Sequence, residues 1–341
     1  MGPDAIAIVV VTHGSAEHMA SLASAVQAQL RDRDEFVIVD NASNDGTPDI
    51  ARSLTRATVI ESGQNLGFAG GCHVGAQATN APLLLFLNPD CRMQPGCLER
   101  LREAARIHPE WSAWQAVVML DEARINTSGG VVHFLGIGWA GDCEASISAL
   151  PDDDQEVAFP SGAAMVVRRE AWLALKGMDP TYFMYGEDLD FGLRLWLAGH
   201  RVGLAQAARA VHGYEFDKGS YKWFYLERNR WRTLLSVYPA SLLLLLAPAL
   251  LASELGLLVI AARGGWLGSK LRALVAAAAE LPHTLVRRRA VQSTRQIGAA
   301  EFAAHLTASL DSPYLETAGS VRCLQAAYWR LVRRAMALFR A

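Results

Sequence analysis

The chain has 341 residues, 51% hydrophobic and 19% charged, with a formal net charge of −2. That length allows one large domain or two, each with ample core, and the near-neutral balance excludes a global electrostatic case for nucleic-acid binding. Acidic residues gather before about residue 190 and arginines cluster after Arg228, so the charge is uneven.

The apolar start Ala5–Val11 lacks the basic leader and small-residue cleavage site of a secretion signal and reads as a buried first strand. Short β-rich runs then alternate with helical stretches. Strands are predicted at Glu35–Asp40, Ala57–Glu61 and Pro82–Leu87, and helices at His18–Arg31, Pro48–Leu54, Gly70–Thr79 and Pro95–Ile107. Alternation with continuous apolar strands predicts an α/β fold, a mostly parallel sheet with helices on both faces. Ligands of such sheets bind at the carboxyl ends of the strands. Residues 121–160 read as loops and a short hairpin. The run Asp152-Asp153-Asp154 follows Pro151 among turn residues, with no strand before it, and reads as a solvated loop rather than a metal site. Ala163–Arg168 is predicted as a strand and Glu187–Ala198 as a helix closed by Gly199.

Composition changes near residue 233, which predicts one unit over 1–232 and a hydrophobic helical C-terminal region over 233–341. Leu234 to Ala262 carries a single charge, Glu254, and is long enough to cross a bilayer. Pro239 and Pro248 interrupt it, and Glu254 is costly at mid-membrane. A single crossing also sends Arg287-Arg288-Arg289 to the far side, against the positive-inside tendency. The favoured reading is of helices lying in or dipping into the cytoplasmic face through residues 234–290, with basic residues at the headgroups. A full span and a soluble helical subdomain are the alternatives. The five cysteines, Cys72, Cys91, Cys97, Cys143 and Cys323, form no C-x-x-C pair and sit beside no histidines at zinc spacing, which suits reduced thiols in the cytoplasm.

Four polar motifs carry the chemistry. Asp40-Asn41-Ala42-Ser43-Asn44-Asp45-Gly46-Thr47 ends a strand in turn residues, with Thr47 and Pro48 opening a helix. At the strand end, Asp40 can accept the N3–H of a pyrimidine, although a tight turn with a cap uses the same residues. Asn65-Leu66-Gly67-Phe68-Ala69-Gly70-Gly71 exposes backbone N–H groups at a helix start, which suits phosphate or ribose, but matches neither G-x-G-x-x-G nor a P-loop. In Asn88-Pro89-Asp90 the carboxylate of Asp90 can hold a divalent cation against phosphate oxygens. Glu187-Asp188-Leu189-Asp190 packs like charges closely enough to raise one carboxylate towards the range of a general base, while Arg194 is spaced to pair with Asp190. His212, at a predicted strand end, is a further ligand candidate or a structural histidine.

In this order the motifs resemble the family 2 glycosyltransferases with a GT-A fold, particularly the bacterial rhamnosyltransferase-like branch. The resemblance runs from Val9-Val10-Val11-Thr12 through the four motifs and Ser161-Gly162-Ala163 to His212, about two thirds of the chain. It implies an inverting transfer from a nucleotide-diphosphate sugar with Mg²⁺ or Mn²⁺. Thr12, Asp40, Asn41, Asn65, Gly67, Phe68 and Asn88 would hold the nucleotide. Asp90 matches the last acid of the D-x-D motif and, with His212, would bind metal. Asp188 matches the second residue of the E-D pair and would be the base, with Glu187 beside it. The chain departs from the pattern at Asn88, where relatives carry the first Asp of D-x-D, at His13, often an aromatic, and at His73, often Asn. The branch suggests dTDP-L-rhamnose as donor, with uridine-diphosphate hexoses next, and a surface glycan or lipid-linked sugar as acceptor at the inner face of the cell membrane. Rival readings are a non-catalytic nucleotide-sugar-binding protein or membrane scaffold on the same fold, and a sugar-nucleotide pyrophosphorylase. The last needs a Gly-rich, Arg/Lys-bearing loop where residues 12–17 are Thr-His-Gly-Ser-Ala-Glu.

Overall fold

Residues 4–213, 219–311 and 319–338 are described by a computed structural model. Apolar strand runs separated by helices condense into one ten-stranded sheet. Its strands are β1 (Ile6–Thr12), β2 (Glu35–Asp40), β3 (Ala57–Glu61), β4 (Leu83–Leu87), β5 (Cys91–Met93), β6 (Trp111–Met119), β7 (Ile125–Thr127), β10 (Gln155–Glu156), β11 (Ala164–Arg168) and β12 (Arg201–His212). The remaining two, β8 (Gly130–Val132) and β9 (Gly138–Ala140), pair as a short hairpin inside the stretch expected to hold one. The main path is β10-β12-β6-β11-β4-β1-β2-β3, with β5 on β12 and β7 on β6. Pairs β1–β2, β2–β3, β1–β4 and β6–β12 are parallel, while β11 runs antiparallel between β4 and β6. The expected α/β sheet is therefore present, but it is mixed rather than mostly parallel: β11 near its centre and β5, β7 and β10 on β12 and β6 all run against their neighbours.

The helices of this part are α1 (Ala16–Gln27), α2 (Thr47–Ser53), α3 (Gly67–Gln77), α4 (Cys97–Ile107), α5 (Arg169–Ala174) and α6 (Glu187–Leu197). One sheet face carries Ile6, Ile8, Val10, Ile38 and Leu85, packed with Met19 and Leu22 of α1 and Leu98 and Leu101 of α4. On β1 the opposite face presents Val9 and Val11, and α3 lies directly on it. A Cβ at Gly71 would stand 2.4 Å from Val11, and one at Gly75 2.2 Å from Val9. These two glycines serve helix–sheet approach, not ligand approach. The chain divides into two compact units: Met1–Gly130, Ala140–Leu195 and His200–Tyr214 form one, and Val131–Trp139, Trp196–Gly199 and Glu215–Ala341 the other.

The second unit is helical: α7 (Tyr221–Val237), α8 (Ala240–Arg263), α9 (Leu267–Ala279), α10 (Leu281–Ser293), α11 (Ala299–Phe302) and α12 (Gly319–Leu338). The boundary expected at residue 232 falls inside α7. Within this unit four charges form a closed cluster. Arg230 and Lys270 each bond both Glu227 and Glu254, and Lys270 is fully buried. The penalty assigned to Glu254 from sequence is thereby offset, since the carboxylate never stands alone. Two basic residues expected at headgroups are also used inside: Arg288 donates to the Leu235 and Tyr238 carbonyls, at 2.7 and 2.8 Å, and Arg287 to Ser236 Oγ. Arg288 thereby satisfies carbonyls at the end of α7.

Candidate active site

The functional candidates collect where strands of the first unit end. Thr12 and Asp40 are register partners at the last position of β1 and β2. Both are buried, and Thr12 Oγ1 donates to Asp40 Oδ1 at 3.0 Å. Ser43 adds its hydroxyl to Oδ1 at 2.5 Å and its backbone N–H to Oδ2 at 3.0 Å. Asp40 thus fixes the turn that follows it, as an Asx-type turn does. Next to it, Asn41 donates Nδ2–H to the Gly67 carbonyl at 2.9 Å, while its Oδ1 is buried without a hydrogen-bond partner. A buried acceptor left open at a strand end is positioned to receive a donor from a ligand. His13, one residue past β1, is exposed and bonds the Asn41 carbonyl through Nδ1 at 2.8 Å.

Asn65 Oδ1 accepts from Gly67 N–H at 2.9 Å and so shapes the entry to α3. Gly67 has φ +69°, and a Cβ there would lie 2.3 Å from the Phe183 carbonyl. Only glycine fits that approach. Phe68 N–H then donates to the same carbonyl at 2.8 Å. This contact clasps the α3 entry to the segment that precedes Glu187. That segment is strained: Phe183 has φ 65° and ψ −63°, and Tyr185 (φ 65°) and Gly186 (φ 84°) also have positive φ. Strained non-glycine backbone persists where surrounding contacts hold it, and it clusters at functional sites.

The three acids of the next helix have three different surroundings. Asp190 is fully buried, accepting from Tyr182 OH at 2.8 Å and from Arg194 Nε at 2.7 Å, the pairing expected from spacing. Arg194 also donates to the Leu175 and Gly177 carbonyls, so this pair braces the fold. Asp188 is half-buried, and its two oxygens accept from Gly162 N–H (3.1 Å) and Leu189 N–H (2.8 Å). Glu187 is buried, with Oε2 lacking a partner. Burial, reinforced by the neighbouring Asp188 charge, pushes Glu187 up to about 8. Burial also raises Asp188, against the opposing pull of its backbone donors. The two carboxyls titrate as one coupled pair that burial biases towards keeping a proton at neutral pH.

The Asn88-Pro89-Asp90 turn joins this assembly through Asn88 N–H, which donates to the Ala163 carbonyl at 3.0 Å, one residue from the Gly162 that holds Asp188. Asp90 Oδ1 lies 2.9 Å from Nε2 of His212, the last residue of β12 and the register partner of Cys91. This contact sets a carboxylate oxygen beside an imidazole nitrogen, donor types that could hold a divalent cation. Among the described residues no group of three or more His, Cys, Asp or Glu converges into a complete cage. In the Asp152–Asp154 run, Asp152 and Asp153 are exposed, as expected, while Asp154 ties its loop to Gln206 N–H at 2.7 Å.

One support escaped the sequence reading, and a second, His73, was singled out there without this role. Gln115, fully buried on β6, accepts Ser161 N–H at 2.6 Å and so sets the turn that presents Gly162. His73 Nε2 bonds the Met178 carbonyl at 2.6 Å and its ring packs 5.1 Å from Trp172, holding the approach to the strained segment. A lone Gln in an otherwise apolar strand was the available signal for the first.

Comparison with known proteins agrees with this layout. The sequence model described as Glycosyl transferase family 2 matches residues 7–124, and that of Glycosyl transferase family group 2 matches residues 83–280, more than half the chain. The N-acetylglucosaminyl-diphospho-decaprenol L-rhamnosyltransferase of Mycobacterium tuberculosis is 26% identical over 61% of this chain and 76% of its own. Rhamnosyltransferase WbbL of Escherichia coli K12 is 26% identical over 66% and 88%. Among solved structures, mannosyltransferase PcManGT from Pyrobaculum calidifontis, in complex with GDP-Man and Mn²⁺, superposes over 98% of this chain and 86% of its own (TM-score 0.50, 15% identity). GalNAc-T7 with UDP, GalNAc and Mn²⁺ superposes over 69% of this chain but 48% of its own (TM-score 0.54, 15% identity). Those two likenesses speak for the fold, and the sequence matches for the lineage: the chain belongs to the family 2 glycosyltransferases, in their rhamnosyltransferase-like branch.

Proposed function

We propose that the protein transfers L-rhamnose, with inversion, from dTDP-L-rhamnose to a hydroxyl of a lipid-linked or surface-glycan acceptor, working at the inner face of the cell membrane through residues 234–290. One observation carries the chemistry. The Asp90–His212 edge and Asp188 are joined through adjacent residues, Asn88 on Ala163 and Gly162 on Asp188. That link supports a reading in which a diphosphate site and a separate base lie on either side of the Ser161–Ala163 turn.

In this reading Thr12, Asp40, Asn41, Asn65, Gly67, Phe68 and Asn88 wall the nucleotide pocket. The open Asn41 Oδ1 receives a base N–H or a ribose hydroxyl. Asp188 takes the proton of the acceptor hydroxyl while its backbone donors hold the carboxylate in place. Glu187, carrying its own proton, spares Asp188 a second adjacent negative charge. The acceptor oxygen attacks the anomeric carbon, the bond to the diphosphate breaks, and its electron pair leaves with dTDP. One displacement without a covalent intermediate inverts the anomeric centre. A divalent ion at Asp90 and His212, Mn²⁺ or Mg²⁺, supplies positive charge for the diphosphate. The donor and acceptor classes are supported by the names of the relatives, two of which are rhamnosyltransferases and one of which is named for a diphospho-decaprenol substrate.

The test is nucleoside-diphosphate release from a panel of nucleotide sugars with Mn²⁺ or Mg²⁺, given lipid-linked and oligosaccharide acceptors, wild type beside Asp188→Asn. Release from dTDP-L-rhamnose alone, abolished in the variant, is the expected result. Release from a uridine-diphosphate hexose moves the donor assignment. Nucleotide binding without release under every condition overturns the proposed reaction.

A further inference from the structure

Helix α8 has 24 residues, is long and apolar enough to cross a bilayer, and is mostly exposed. Its burial is nonetheless periodic. Leu242, Leu246, Leu250 and Ala261 face the protein, and Glu254 on the inner side joins the Arg230 and Lys270 cluster. Leu244, Leu251, Leu255, Val259 and Ile260 face outward, between 52% and 77% exposed. A helix exposed to water carries polar residues on its outer stripe. Here the outer stripe holds no charged residue until Arg263.

The feature is concentrated in this unit. Of 16 large hydrophobic side chains exposed among the described residues, 14 lie on α7, α8, α9, α10 and α12. Concentration of that kind marks an interaction surface. The surrounding charge names the partner. Residues 221–341 carry 16 Lys and Arg against 6 Asp and Glu. Helices α9 and α12 pack against α8. On these three helices Arg263, Arg272, Arg322, Arg330, Arg333 and Arg334 are exposed, and the ion pairs found among the described residues include none of them. Apolar side chains beside arginines without carboxylate partners complement an anionic phospholipid surface.

We infer that α8 lies in the plane of an anionic bilayer surface, its Leu244–Leu251–Leu255 stripe among the acyl chains and the arginines of α8, α9 and α12 at the phosphates, without crossing. This deepens the proposal above and rests on its reading of a membrane-located acceptor. A crossing surrounds α8 with lipid on all sides. That would pull Glu254 away from Arg230 and Lys270 and strip the Leu242–Leu246–Leu250 stripe from the helices it packs on. Docking on one face leaves both intact. The internal pairing of Glu254 also leaves the helix with no bare charge between Ala240 and Ala262 to oppose insertion.

The experiment is flotation of the full chain with vesicles of phosphatidylcholine alone and with vesicles containing about one third phosphatidylglycerol, at low and high salt. Binding to the anionic vesicles is expected to exceed binding to neutral ones by about 10–100-fold and to weaken with salt, because each arginine near the surface adds to the attraction. The double variant Leu251→Glu/Leu255→Glu places its changes on exposed positions, so it should melt with the wild type yet lose flotation. Alkaline carbonate should release wild type from the vesicles. Equal binding to both vesicle types, unimpaired flotation of the variant, or retention after carbonate each overturns the inference, the last in favour of a span. A lipid-independent dimer that the double variant dissociates overturns it in favour of a second copy. Sugar transfer by wild type to a water-soluble acceptor without vesicles is measured in parallel. Transfer without flotation removes the docking and keeps the enzyme, while flotation without transfer does the reverse.

Discussion

The two units treat charge in opposite ways. In the first, 26 acidic side chains face 15 basic ones, and the carboxylates at the site are left poorly compensated: Glu187 has an orphan oxygen and Asp188 only backbone donors. In the second, the buried Glu227, Arg230, Glu254 and Lys270 balance one another, and the surplus is exposed arginine. Buried like charges oppose folding, so their retention points to chemistry, whereas a balanced buried cluster holds helices in place. The sharpest way to break the contrast is Asp188→Asn. If Asp188 is the base, turnover should fall by about 10²–10⁴-fold with nucleotide affinity nearly unchanged, read by steady-state kinetics beside calorimetric titration. Normal turnover would remove it from the mechanism.

The second unit should respond to charge removal in its stability. Lys270→Met keeps much of the side-chain volume but leaves Glu227 and Glu254 sharing Arg230 alone. Breaking a buried pair this way costs about 3–5 kcal/mol, which a urea titration would register. A change below about 1 kcal/mol would place the cluster in the class of exposed pairs.

Much of this contrast was legible in the sequence, and the gaps have physical causes. β2 and β3 are observed over the residues expected, because continuous apolar runs bounded by turn residues leave little ambiguity. β6 and β12 were not anticipated as long strands. Ser112 and Gln115 interrupt the first, and the second is alanine-rich and bulged between Ala205 and Arg209, so neither shows strong β character. The site acids were visible, but their division of labour was not. It depends on Gly162 reaching Asp188 and Tyr182 reaching Asp190, contacts that spacing along the chain does not encode. The apolar segment was equally plain, whereas the partners of Glu254 and Arg288 became visible only once the helices were packed.

The metal edge sharpens the comparison from the other side, since Asp90 and His212 are the place where the acidic unit would receive a positive charge. Asp90→Ala should weaken metal-dependent nucleotide binding by about 10–100-fold, a loss typical of disturbing a metal site. Fluorescence titration of nucleotide against Mn²⁺ would measure it. Unchanged metal dependence would separate Asp90 from the ion.

The smallest effect, and the most specific, concerns Glu187. Its folded pKa, about 8, lies above the ordinary value of 4.5. For a carboxylate raised in this way the stabilising contribution is complete at acid pH. It is lost as pH climbs from the ordinary value through about 8, because the unfolded chain then releases a proton that the folded state still holds. Glu187→Gln imitates the protonated form. Its turnover at pH 7 should therefore fall less than tenfold, far less than in Asp188→Asn. The melting temperature of wild type should drop relative to the variant between pH 5 and pH 8 and stay level beyond, since the amide has no proton to lose. The alkaline limb of the kcat profile should flatten in the variant as well. Parallel melting curves across that window would mean that Glu187 is already ionised in the folded protein. Asp188 would then act beside a full negative charge rather than a neutral acid, and the proton on this pair would have no part in setting the strength of the base.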